Sequence, residues 1–74
     1  MMNARSDKFI VLANNRVNKV IKQLKLVGNL SNKSHYDYSE EDAKKIILAI
    51  ESEVRNLKQK FIKNKKNKLN EFKL

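Results

Sequence analysis

The side chains able to do chemistry in this chain are few: one histidine, His35, no cysteine, two tyrosines, and eight carboxylates against seventeen lysines and arginines. Nucleophilic catalysis needs an activated Ser or Cys beside a base that a third group orients, and acid–base catalysis needs paired groups gathered in a pocket. One imidazole, no thiol and acids confined mainly to a helix cap argue against either set. The densest carboxylate cluster is Glu40-Glu41-Asp42. Consecutive residues of a helix point in different directions, so these three make a poor coordination shell for a cation. A structural zinc site draws on Cys and His in fours, which this composition excludes. The expectation is a non-enzymatic protein with no metal, no cofactor and no small-molecule substrate.

Cations are the abundant chemistry. The formal net charge is +9, and its distribution is uneven. Residues 1–27 carry six basic and one acidic side chain, and residues 28–38 one of each. Residues 39–57 carry three basic and five acidic, and residues 58–74 seven basic and one acidic. The candidate phosphate-binding residues are therefore Arg5, Lys8, Arg16, Lys19, Lys22 and Lys25 near the start, with Lys58, Lys60, Lys63, Lys65 and Lys66 near the end. Surfaces charged on this scale attract polyanions. Lysine outnumbers arginine fourteen to three, and arginine is the usual bidentate reader of guanine. Contact with the phosphate backbone is expected to dominate over base reading. An AT-rich coding sequence would also enrich Lys and Asn without any electrostatic purpose, so basic composition separates nucleic-acid binders from other small proteins only weakly.

Two amphipathic helices must position these charges. Zero Pro and one Gly in 74 residues leave little to punctuate turns. Apolar residues recur at Ile10, Ala13, Val17, Val20, Leu24 and Val27, alternating steps of three and four along one helix face. Ser6 is the expected N-cap, with Asp7 in the first turn, and Gly28 is expected to end the helix in a left-handed conformation. The spacing predicts a first helix over about 7–27 and a loop over 28–38. A second helix over about 39–63 is predicted from Ser39-Glu40-Glu41-Asp42, which is close to a capping box. Its seam is Ala43, Ile47, Ile50, Val54, Leu57 and Phe61. Residues 63–74 read as a lysine-rich tail or a frayed helical extension.

Seams of nearly equal length joined by a loop of about eleven residues suggest an all-α, two-helix antiparallel hairpin over 1–62. This geometry would return the lysine-rich end to the side of Arg5 and Lys8. Phe9, Ile21 and Ile46 widen the stripes beyond what a two-helix contact covers, and Val11 and Leu12 extend the apolar start of the first helix. A chain this short, without disulfides, has little core of its own. The expected completion is a homodimeric four-helix bundle, with Phe9, Ile10, Val17, Val20, Ile21, Leu24, Ile46, Ile47, Ile50, Val54, Leu57 and Phe61 at its interface.

Function is then expected to be binding: nucleic acid or a nucleoprotein, in an accessory or regulatory role. The alternative is an adaptor or inhibitor docked on a larger protein. The loop is too long for a helix-turn-helix, and a basic leucine-zipper order is reversed, since the basic segment follows the seam. The first helix is amphipathic and basic, yet the matching second seam offers its apolar face a better partner than a membrane. No apolar run reaches the ~18 residues of a membrane span, and no signal-peptide layout opens the chain, so the cytoplasm is the expected location.

The loop from Asn29 to Tyr38 holds the varied polar and aromatic groups. His35 is expected to be solvated. Tyr38, just before the Ser39 cap, is placed to staple onto Ala43. A nucleic-acid base could stack on Tyr36, and the competing reading packs that ring over Leu26 or Leu30.

Overall fold

The computed structural model describes the backbone of residues 4–73 and the side chains of residues 4–64. Helix α1 is Ala4–Asn29 and helix α2 is Glu40–Lys73, and among the described residues there is no strand. The chain is all-α. It divides into two units, Met1–Asp37 and Tyr38–Leu74, each built on one helix.

In the first unit, α1 begins before its expected cap. Ser6 lies inside the first turn, and Asp7 is still close enough to the positive end of the helix to favour it. Ala4 and Arg5 are strong helix formers, so the helix takes them in.

The other end of α1 departs further from expectation. Gly28 is helical, and no described residue has a positive φ, so the left-handed cap expected there does not form. Three successive bonds close the helix instead. The backbone N–H groups of Leu30, Ser31 and Asn32 donate to the carbonyls of Val27, Gly28 and Asn29 at 3.0, 3.0 and 3.3 Å. These three-residue-back bonds occupy carbonyls that a left-handed cap would otherwise satisfy.

Gly28 therefore sits in the last turn of the helix without a positive φ, and a Cβ built on it meets no side chain or other part of the chain within 4 Å. Glycine costs a helix about 1 kcal/mol relative to alanine. Gly28→Ala is expected to stabilise α1 by up to that amount, read as higher helicity and a higher melting temperature in circular dichroism. A left-handed cap would make the same substitution destabilising, so the sign of the change decides between the two geometries.

In the second unit, α2 opens where the capping sequence places it and runs on through the lysine-rich segment to Lys73. No Gly or Pro interrupts it, and Lys, Leu and Glu are all good helix formers.

No described side chain is buried. Most of each apolar stripe is exposed: in α1, Phe9 is 61% exposed and Leu24 42%; in α2, Phe61 is 61% exposed and Ile46 40%. Of the residues expected at an interface, only Ile50 is half-buried, along with the neighbouring Leu12, Ala13, Val27, Ala43 and Ile62. Helices in proteins owe most of their stability to packing of the apolar face. In the structure most of each stripe is exposed.

Candidate nucleic-acid interface

At 3.6 residues per turn, the α1 seam Ile10, Ala13, Val17, Val20, Leu24 and Val27 occupies a sector of roughly 100°. The six cations of α1 fall outside it. Arg16, Lys19, Lys22 and Lys25 follow one another at three-residue spacing, so each is turned back by roughly 60° and raised by about 4.5 Å from the one before. Together they wind half-way around the side opposite the seam. Arg5 and Lys8 carry this basic face to the start of the helix. All six side chains are exposed, and Asp7 is the single acid on α1. From Arg5 to Lys25 the row spans about 30 Å, close to one turn of duplex DNA at about 34 Å.

The lysine-rich end of α2 belongs to the other unit. Lys58, Lys60 and Lys63 are exposed there, whereas the side chains of Lys65 and Lys66 lie outside the described residues.

The acidic start of α2 has a local role. The hydroxyl Oγ of Ser39 accepts from the Asp42 N–H at 3.0 Å, and the Asp42 Oδ2 accepts from the Ser39 N–H at 3.0 Å. This is a reciprocal capping box with Asp in the place usually held by Glu or Gln. The Ser39 carbonyl takes the first intrahelical bond, from the Ala43 N–H at 3.1 Å. Tyr38 and Ala43, on either side of the cap, are both half-buried. The bond from the Ser39 backbone, with help from the Ser39 hydroxyl, holds Asp42 below its ordinary pKa of 3.8.

A carboxyl whose pKa falls on folding stabilises the folded state above its unfolded pKa and loses that contribution as pH drops through the lower, folded value. Helicity of the parent chain is expected to decline as pH falls from about 5, roughly one unit above the ordinary value of 3.8, down through the lower folded value. The decline should be smaller in Asp42→Asn, which keeps an acceptor but has no proton to gain. Equal pH profiles in circular dichroism would remove Asp42 from the cap.

Within the loop, residues 30–37 form a second folded feature. Asn32 organises it. Its side-chain Oδ1 accepts from the Ser34 N–H at 2.9 Å, and its carbonyl accepts from the N–H groups of His35 and Tyr36 at 3.1 and 3.0 Å. The signal was present in Asn32-Lys33-Ser34, because Asn commonly bonds the backbone two residues on. On this turn the rings of His35 and Tyr36 meet edge to face, with centroids 6.3 Å apart and planes at 65°. Tyr36 stays 50% exposed, with Leu26 at 51% and Leu30 at 46%.

Among the described residues no helix is long and apolar enough to cross a membrane, and no group of three or more His, Asp or Glu side chains could hold a metal ion. No protein-family model matches the chain, and no curated protein or solved structure is significantly similar to it.

Proposed function

We propose that this protein binds nucleic acid mainly through the phosphate backbone, in an accessory or regulatory role. The observation that carries the reading is the basic face of α1, which has six exposed cations, one acid and a length suited to a run of phosphates. Lys58, Lys60 and Lys63 extend the basic surface on α2. In this proposal the two apolar stripes pair as an antiparallel hairpin, and a second copy completes a four-helix bundle that leaves the basic faces outside. Binding is then lysine-led, so it is weakly selective for sequence and steeply dependent on salt.

Fluorescence anisotropy with a labelled DNA duplex and a labelled RNA strand, titrated between low and moderate salt, tests this. The expected result is a linear fall of log K with log salt, with a slope of roughly −0.9 per phosphate contacted on duplex DNA. A flat titration, or no binding at low salt, would overturn it.

The exposure of most of both apolar stripes favours a second reading, in which the chain is an adaptor or inhibitor whose stripes dock on a larger protein. That reading requires a monomer in isolation. Light scattering on the free chain separates the two.

A further inference from the structure

Resting on the phosphate-binding reading, we infer that the Asn32–Tyr36 turn is a stacking site for an unpaired base, which makes single-stranded nucleic acid the preferred ligand. Four features meet at this turn. Tyr36 is the one exposed Tyr or Phe side chain among the described residues that lies outside the helices, with the exposed His35 ring edge to face beside it, since Phe9 and Phe61 belong to the apolar stripes and Tyr38 is half-buried beside the Ser39 cap. Its backbone is held by the turn itself, in which Asn32 accepts three bonds, one of them from the Tyr36 N–H. A ring on a fixed frame loses little freedom when a base lies on it.

The turn also follows directly on the last cations of α1, Lys22 and Lys25, so a strand with its phosphates along that face reaches the loop at the end of the helix. At that end the chemistry changes. The last turn of α1 contains no basic residue, and the C-terminal pole of a helix disfavours anions. A neutral base is accepted there more readily than another phosphate. In duplex DNA the bases are already stacked on each other, so a ring like Tyr36 gains nothing from a duplex unless a base is unpaired.

The test compares the parent chain with Tyr36→Ala and Tyr36→Phe. Anisotropy is read on a fluorescein-labelled oligothymidylate and on a duplex of matched length, and circular dichroism reports folding. Tyr36→Ala should weaken binding to the single strand about 10-fold, a typical loss for one stacked base. Binding to the duplex should change less than about 2-fold, and helicity should be unchanged. Tyr36→Phe should keep the single-strand affinity, because the face of the ring is conserved.

Equal affinity of Tyr36→Ala and parent for the single strand, or equal losses on both ligands, would overturn the inference and leave phosphate binding standing. Failure of the parent to bind either ligand would remove both.

Discussion

Changing Lys19, Lys22 and Lys25 together to glutamine is expected to weaken nucleic-acid binding by on the order of 100-fold at ~0.15 M salt. Each lysine that neutralises a phosphate releases condensed counterions and adds about −0.9 to the slope of log K against log salt on a duplex. Removing three should flatten that slope by roughly 2.7, and extrapolation to ~0.15 M gives the stated loss. The two quantities are tied, which makes the prediction stringent. A loss of affinity with an unchanged slope would mean that the variant had damaged the fold rather than the contacts.

Helicity should not fall, because glutamine forms helices nearly as well as lysine and all three positions are exposed. The same change at Lys44, Lys45 and Arg55, three cations on the acidic part of α2, is the matched control. It removes equal charge, so nonspecific attraction to net charge alone would lower affinity equally in both variants. A larger loss for the α1 triple shows that the face, and not the total, does the binding.

How far these features could be read in advance depends on how local their causes are. The start of α2 was legible because Ser39 and Asp42 satisfy each other's backbone groups three residues apart, a closure that needs no distant partner. The α1 cation row was legible for the same reason, since three-residue spacing sets angle and rise on a helix. Both ends of α1 were misread. Ser6 and Gly28 are residue types favoured at caps that a helix also tolerates inside itself. The bonds that close the helix after Asn29 run between backbone groups, which carry no signature of side-chain type. The apolar periodicity located both stripes, but a stripe records that a surface is apolar and not what covers it. Periodicity alone carries no such information.

Placing an aspartate on each stripe addresses the partner directly. Val20→Asp and Val54→Asp each set a carboxylate in the middle of a seam, where the parent side chains are 56% exposed in the single chain. If the stripes meet in a hairpin dimer, burying an unpaired charge costs several kcal/mol, or more than about a hundredfold in the association constant. Symmetry repeats the cost in both copies. Light scattering should then show dissociation, and circular dichroism a drop in helicity, because helices without packing are marginal in water. Ser52→Asp is the control: it adds the same charge on α2 opposite the seam, so mass and helicity should hold. Variants indistinguishable from the parent in both measurements would mean that the stripes are open in the free protein. In that case the adaptor reading would gain ground, and the same two valines would become the positions at which to look for loss of the larger partner.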